Sequence, residues 1–197
     1  MSAEAAVGEA APLILASTSP YRKQLLARLG LPFSTCSPAF SEAEPGSMPP
    51  AELVRHNALG KAGSVARQHP GATVIGSDQL AVCGTRVLGK PGGHRAAFDQ
   101  LTFLSGKAVD FLTGLAVLEH GREQYACVPF RVVFRELAAT DIEAYLHAEK
   151  PYDCAGSFKS EALGIALFAS MQGDDPTALM GLPLITLSGW LHPLRPR

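Results

Sequence analysis

The chain has 197 residues, a formal net charge of −1 and a hydrophobic fraction of 47%, as expected for one globular domain. This near-neutral balance excludes the broad basic surface that neutralises a nucleic-acid backbone, so we expect no nucleic-acid partner. No apolar run is long enough to span a bilayer, and we expect no membrane partner.

The N-terminal segment and the cysteines suggest an intracellular protein. Residues 1–11 lack the positive start and apolar core of a secretory signal, so we predict a flexible extension there. The domain is then predicted over 12–192, with a tail over 193–197. The four cysteines are scattered and show no zinc-ligand spacing: Cys36, Cys83, Cys127 and Cys154. Free thiols are typical of a reducing cytoplasm.

The first predicted elements are a buried strand at 13–16, a hydroxyl-rich loop at 17–19 and a helix over 20–29. Ser19 suits the N-cap, and a proline follows in the first turn. Free backbone N–H groups and the positive end of the helix dipole meet there, with Arg22 one turn further on, so the loop favours phosphate. The alternative is an ordinary strand-helix connection whose serines only cap.

The remaining elements follow from periodicity and turn residues. We predict, in order, a strand at 33–37, a helix at 50–67, a strand pair or one bent strand at 73–83, a short strand at 87–88 and a helix at 95–104. A long antiparallel hairpin follows at 107–118 and 123–134, then a helix ending at Ala148 behind a capping box of Thr140 and Glu143, a strand at 163–168 and a helix ending near Leu191. This pattern predicts one α/β domain around a mixed, twisted sheet.

Three polar residues are candidates for chemistry, and each also has a plain structural explanation. Asp78 follows Gly76 where a strand end is predicted, a common place for active-site groups and also for turn formers. Lys61 lies off the apolar stripe of its helix, as a solvated charge would. Lys90 ends a segment close to a phosphate-binding loop pattern, but Pro91 stands where that pattern needs a hydroxyl, so we reject a P-loop.

Seven short motifs occur in order between Leu13 and about Leu191 and together form a specific signature. They are Ser17-Thr-Ser-Pro-Tyr-Arg22, Glu42, Lys61-Ala62, Gly76-Ser-Asp-Gln79, Gly89-Lys-Pro91, Ala155-Gly-Ser-Phe-Lys-Ser-Glu161 and Gly181-Leu-Pro183. This set resembles the Maf family of nucleoside triphosphate pyrophosphatases. The resemblance implies a Maf/inosine-triphosphatase-like α/β fold, in which helices flank a mixed twisted sheet with a central cleft.

The resemblance also implies an activity and a set of roles. The expected protein is a cytoplasmic hydrolase that splits a nucleoside triphosphate to monophosphate and pyrophosphate with a divalent metal cation, Mg²⁺ or else Mn²⁺ or Co²⁺. A homodimer is the family expectation. Asp78 is then the proton acceptor, Lys61 and Lys90 complete the catalytic set, and Glu42 joins Asp78 at the metal. The residues expected to hold the triphosphate are Ser17, Ser19 and Arg22.

Three further positions indicate a branch of that family. Tyr21, Gln79 and Glu161 resemble the branch that acts on 7-methyl-GTP, whereas members acting on dTTP and UTP carry Arg, Thr and Gln there. Methylation at N7 makes guanine cationic, and a cation stacks well on an aromatic face. A carboxylate can accept hydrogen bonds from guanine N1–H and N2–H₂ while it opposes the positive charge. A sibling acting on dTTP or UTP is the alternative.

One position departs from the family pattern, and one alternative class of function remains open. Ser41 precedes Glu42 where relatives often have an Asp-Glu pair, so one carboxylate that could bind metal is absent, although Glu44 lies nearby. The chain could instead be a nucleotide-sensing regulator of cell division that binds without chemistry. The set of Asp78, Lys61 and Lys90 favours an enzyme, because a binding protein needs no placed base.

Overall fold

The computed structural model describes residues 11–193; most of the predicted N-terminal extension and tail lies outside them. The strands are β1 (Leu13–Ala16), β2 (Ser34–Cys36), β3 (Thr73–Cys83), β4 (Arg86–Leu88), β5 (Ala108–Glu119), β6 (Arg122–Phe134) and β7 (Phe168–Gln172). The helices are α1 (Pro20–Ala27), α2 (Pro50–Ala66), α3 (His94–Leu104), α4 (Ala139–Glu149) and α5 (Leu184–Leu191). The α/β class that the sequence predicts is therefore confirmed.

The strands form one seven-stranded mixed sheet in the order β2-β1-β3-β5-β6-β7, with β4 paired to β3 outside that path. β1 runs parallel to β2 and to β3, and the other pairs are antiparallel. β3 is one continuous strand, which decides between the two predictions for 73–83. Asp78 therefore lies inside a strand, just past the point where β1 stops pairing at Ile75.

The two faces of the sheet are covered by different helices because side chains alternate along each strand. Leu13 and Leu15 of β1 belong to the buried cluster that includes side chains of α1 and α5. Ile14 and Ala16 belong to the cluster that includes side chains of α2. All four residues of β1 are buried, as the short apolar run predicts. A third cluster joins β5 and β6 to α3 and α4.

Two local predictions are wrong. α4 begins at Ala139, so Thr140 does not cap it; the Asp141 carboxylate instead accepts the Ala138 N–H at 3.3 Å. The segment at 163–167 forms a 3-10 turn, and strand pairing with Phe134 begins only at Phe168. Glycine at 164 permits this path, since a Cβ there would lie 2.3 Å from the Lys159 carbonyl oxygen.

The helices and the cysteines bear on whether the chain spans a membrane or forms disulfides. Within residues 11–193, every helix is too short or too polar to traverse a bilayer. All four cysteines lie in this part of the chain and are free thiols.

Candidate functional site

Two glycines let α2 approach the sheet closely. A Cβ on Gly76 of β3 would lie 2.2 Å from the Ala58 carbonyl oxygen, and one on Gly114 of β5 would lie 2.6 Å from that of Val54. Any side chain at either position would push the helix outward, because backbone atoms cannot yield as a flexible side chain can. Since Gly114 is the register partner of Asp78, the helix meets β3 at that aspartate.

The close contact builds a row of three charged residues, Glu42, Lys61 and Asp78, which we call the ion-pair row. Lys61 Nζ donates to Asp78 Oδ1 at 2.7 Å and lies 2.7 Å from Glu42 Oε1. The side chains of Lys61 and Asp78 are 7% and 8% exposed, whereas that of Glu42 is 57% exposed. Lys61 is therefore buried, and the interpretation of it as a solvated helix charge is wrong.

Asn57 is a site residue that sequence reasoning missed. Its Nδ2 donates to Asp78 Oδ2 at 3.1 Å, and its Oδ1 accepts the Ala43 N–H at 3.0 Å. Asn57 thus orients the aspartate and also fastens the loop that carries Glu42. The available signal was its spacing: residues four apart share a helix face, and Asn57 precedes Lys61 by four.

The same loop is held by an aromatic contact. The Phe40 ring occupies the space beside Gly60 on α2, where a Cβ would lie 2.2 Å from it. Phe40 also packs against His56, with ring centroids 5.6 Å apart. The loop between β2 and α2 is therefore anchored at both Phe40 and Ala43, on either side of Glu42.

The hydroxyl-rich loop after β1 is largely engaged by its own backbone. Ser19 Oγ accepts the Arg22 N–H at 3.4 Å, which confirms its predicted N-cap. Ser17 N–H donates to the Leu15 carbonyl at 2.9 Å, and Ser19 N–H donates to Ser17 Oγ at 3.1 Å. Two of the three loop amides, those of Ser17 and Ser19, are therefore used by bonds within the chain.

Arg22 reaches from α1 to the Gly181 carbonyl. Its Nε donates to that oxygen at 2.8 Å, and Ser77 Oγ lies 2.9 Å from the same atom. Burial lowers the pKa of the Arg22 guanidinium, while Asp78 and Glu42 act in the opposite direction. The guanidinium keeps its charge, because arginine is not deprotonated in proteins. It therefore adds a second cation beside the ion-pair row.

Gln79 faces the side of β3 opposite to Asp78, as alternation requires. Its Nε2 donates to the carbonyls of Ala178 and Leu179 at 2.7 and 3.1 Å and lies 3.0 Å from Thr113 Oγ1. The amide nitrogen is therefore fully used inside the protein. Its Oε1 is the polar atom left for a ligand.

A second group, which we call the tyrosine cluster, consists of Tyr21, Asp153 and Cys154. The Tyr21 hydroxyl donates to Asp153 Oδ2 at 3.2 Å and lies 3.8 Å from Cys154 Sγ. Burial, together with Cys154 and Asp153, raises the pKa of Tyr21 above its ordinary value. Burial also raises the pKa of Cys154 to about 11, so at neutral pH it is a thiol and not a nucleophilic thiolate.

Both groups border one cavity of about 410 Å³. Nine of the ten site residues predicted from the sequence line it: Ser17, Ser19, Tyr21, Arg22, Glu42, Lys61, Gln79, Lys90 and Glu161. Asp78 lies directly behind Lys61. Glu161 lines the same cavity as Tyr21, Asp153 and Cys154.

The acids present can be judged as metal ligands. Among the residues that the structure describes, no three His, Cys, Asp or Glu side chains form a ready-made metal site. Glu42 and Asp78 both contact Lys61, so the row supplies two carboxylates. Mg²⁺ is commonly held by one or two carboxylates together with substrate phosphates, and this donor set fits a metal that binds with a nucleotide.

Comparison with known proteins places the chain in a family. The profile of Maf-like proteins matches residues 12–194. A protein named 7-methyl-GTP pyrophosphatase from Pseudomonas fluorescens is 53% identical over 178 residues, which cover 89% of this chain and 93% of that protein. Proteins of the same name from Pseudomonas aeruginosa and Nitrosococcus oceani are 52% and 51% identical, with 89% and 91% of this chain and 92% of each relative covered. The chain therefore belongs to the family of Maf-like proteins, as its seven motifs predict.

Proposed function

We propose that this chain hydrolyses 7-methyl-GTP to 7-methyl-GMP and pyrophosphate. The observation that carries the proposal is the ion-pair row, in which Lys61 lines a nucleotide-sized cavity and holds the buried Asp78 carboxylate directly behind it. The name shared by relatives more than 50% identical supports the substrate. The alternative is a sibling that prefers dTTP or UTP.

Asp78 is suited to act on the attacking water. In the reaction a water oxygen bonds to the α-phosphorus, the bond from that phosphorus to the bridging oxygen breaks, and pyrophosphate leaves with the bond electrons. Asp78 takes the proton of the water. Its two oxygens already accept from Lys61 and Asn57, but a carboxylate has about four acceptor positions, so capacity remains.

Cations offset the charge of the triphosphate. Arg22, Lys61 and Lys90 line the cavity, and the free donors of Arg22 form a fork suited to phosphate oxygens. Preorganised donors of this kind stabilise charge that builds up in the transition state, because they need not reorient during the reaction.

Glu42 and Asp78 would hold a divalent metal, with Mg²⁺ proposed first and Mn²⁺ or Co²⁺ as substitutes. When bound, such an ion neutralises phosphate charge and lowers the pKa of bound water. Glu42 is largely exposed and can turn from Lys61 towards a nucleotide. Since Ser41 cannot supply a second carboxylate beside Glu42, substrate phosphates would complete the coordination.

The base lies on the side of the tyrosine cluster in this proposal. Tyr21 offers an aromatic face to the cationic ring, Gln79 Oε1 can accept a base N–H, and Glu161 can accept from N1–H and N2–H₂. We place the enzyme in the cytoplasm, where free thiols persist and nucleotides are abundant. A homodimer is the family expectation.

The test is pyrophosphate release from 7-methyl-GTP, GTP, UTP and dTTP, with Mg²⁺ and with a chelator. We expect metal-dependent turnover that is fastest with 7-methyl-GTP and falls by about 10²- to 10⁴-fold in Asp78→Asn. Asp99→Asn is the matched control, because Asp99 pairs with Arg95 on the exposed face of α3.

Other results of this assay would support a different function or a different role for Asp78. Faster turnover of UTP or dTTP would move the chain to the sibling activity. A folded protein that binds these nucleotides without releasing pyrophosphate would support the regulator of cell division. Undiminished turnover by Asp78→Asn would remove the aspartate from the proton-acceptor role.

A further inference from the structure

We propose that Asp153 is a specificity residue that selects the cationic base of an N7-methylated purine nucleotide, a role that rests on the proposed function above. Asp153 lines the same cavity as Tyr21 and Glu161. Its carboxylate accepts from the Tyr21 hydroxyl and adds a second negative charge to the cavity lining, which also contains Glu161. No motif in the sequence pointed to it.

The contacts of Asp153 explain how it orients the aromatic ring. Oδ2 accepts from the Tyr21 hydroxyl at 3.2 Å, and Oδ1 lies 3.5 Å from Cys154 Sγ. Tyr21 stands in the first turn of α1, so its ring pivots about a fixed backbone and its hydroxyl determines where the face points. The Tyr21 hydroxyl is protonated throughout the neutral range, and burial together with Cys154 and Asp153 raises its pKa further.

The backbone beside Asp153 is firmly held, although its side chain is exposed. The Tyr152 carbonyl accepts the Gly92 N–H at 2.9 Å, and the Tyr152 hydroxyl lies 3.1 Å from His94 Nδ1. His94 Nε2 in turn lies 2.9 Å from Glu143 Oε2 on α4. Tyr152 is thereby tied to both α3 and α4, so the backbone from which the Asp153 carboxylate projects is fixed.

The charges on this side of the cavity are unbalanced in favour of a cation. Asp153 and Glu161 are both negative and outnumber the nearby cation Lys159, whose Nζ donates to the Glu149 carbonyl at the end of α4, 3.1 Å away. Two carboxylates repel a triphosphate and attract a positively charged ring. They therefore direct the base, and not the phosphates, towards Tyr21. A neutral guanine gains less from the same carboxylates.

The experiment compares kcat/KM for 7-methyl-GTP and GTP in the wild type and in Asp153→Asn. Asparagine keeps the size and an oxygen that can accept from Tyr21, so only the charge is lost. We expect the preference for 7-methyl-GTP to fall by about three- to fivefold, the size of one partly exposed charge interaction. The control is Asp174→Asn, an exposed aspartate outside the cavity lining, which should leave the preference unchanged.

Binding of the two monophosphates, 7-methyl-GMP and GMP, provides a readout that does not depend on turnover. Calorimetric titration should show the same loss of preference in Asp153→Asn. Equal losses for methylated and unmethylated ligands, or an unchanged ratio, would overturn the role of Asp153 while leaving the proposed function intact. If the wild type hydrolyses no triphosphate, the proposed function fails, and the ratio of monophosphate affinities still decides whether Asp153 selects the cationic base.

Discussion

The ion-pair row and the tyrosine cluster border the same cavity but are built in different ways. The row lies between a helix and a central strand, and its inner pair, Lys61 and Asp78, is almost fully buried. The tyrosine cluster joins the first turn of α1 to the loop after α4, and the contact between Tyr21 and Asp153 is exposed. Packed elements hold reacting groups in place, whereas binding residues are often carried by loops that such a scaffold positions.

The two regions also use backbone freedom differently. At the row, Gly76 and Gly114 remove side chains so that two backbones can touch. In the loop, Gly156 and Ser157 adopt positive φ angles of 81° and 62°, so the chain turns sharply. Ser157 Oγ then donates to Gln100 Oε1 at 2.5 Å and fixes the turn to α3. The glycines at the row make the contact between helix and sheet rigid, and the turn at Gly156 and Ser157 shapes the pocket.

Removing the Lys61 cation from the ion-pair row should produce the largest change in stability and turnover. Lys61→Met leaves Asp78 buried with only Asn57 as a hydrogen-bond partner, so we expect the free energy of unfolding to fall by about 3 kcal/mol and turnover to be lost. Urea denaturation and pyrophosphate release measure the two effects. Lys23→Met on the exposed face of α1 is the control and should change stability by less than about 0.5 kcal/mol.

A double variant separates stability from chemistry at the same place. Lys61→Met with Asp78→Asn contains no buried unpaired charge, so it should recover much of the lost stability and none of the turnover. Full stability in the single Lys61→Met variant would show that the pair is not buried as the structure has it.

The next test adds a side chain at the close contact between α2 and β3. Gly76→Ala forces a methyl group against the Ala58 carbonyl, and we expect a loss of about 1 to 3 kcal/mol in unfolding free energy, with reduced turnover. Gly63→Ala on the same helix is matched, since its Cβ would meet only the Arg67 side chain at 3.6 Å. It should be neutral or stabilising by up to about 1 kcal/mol. Similar losses in both variants would contradict the close approach at Gly76.

The smallest expected effect is on the chemistry of Cys154. Its pKa of about 11 against the usual 9.0 leaves little thiolate at pH 8, so alkylation by iodoacetamide should be roughly tenfold slower in the folded than in the unfolded chain. Because the folded pKa is raised, this group stabilises the fold fully below pH 9, and its contribution is lost as pH rises towards 11. Mass spectrometry of the Cys154 peptide gives the rate. Equally fast alkylation in both states would show an open tyrosine cluster.

Local signals were enough for most of the fold. The apolar run of β1, the Ser19 cap and the long hairpin of β5 and β6 depend on residues close in sequence, and all three predictions are confirmed. The predicted capping box at Thr140 failed because Asp141 offers a competing carboxylate one residue later. The strand predicted at 163–168 failed because an apolar run alone does not distinguish a strand from a short helical turn.

The sequence by itself determined the family, the order of the elements and nearly all of the residues that line the cavity, because motifs and periodicity are written in neighbouring positions. Only the tertiary structure decided that Lys61 is buried against Asp78, that Asn57 orients that aspartate and that Asp153 holds Tyr21. These pairs are separated by 17, 21 and 132 residues. Such contacts depend on how closely helices and loops approach the sheet, and steric contact at a few glycines sets that approach.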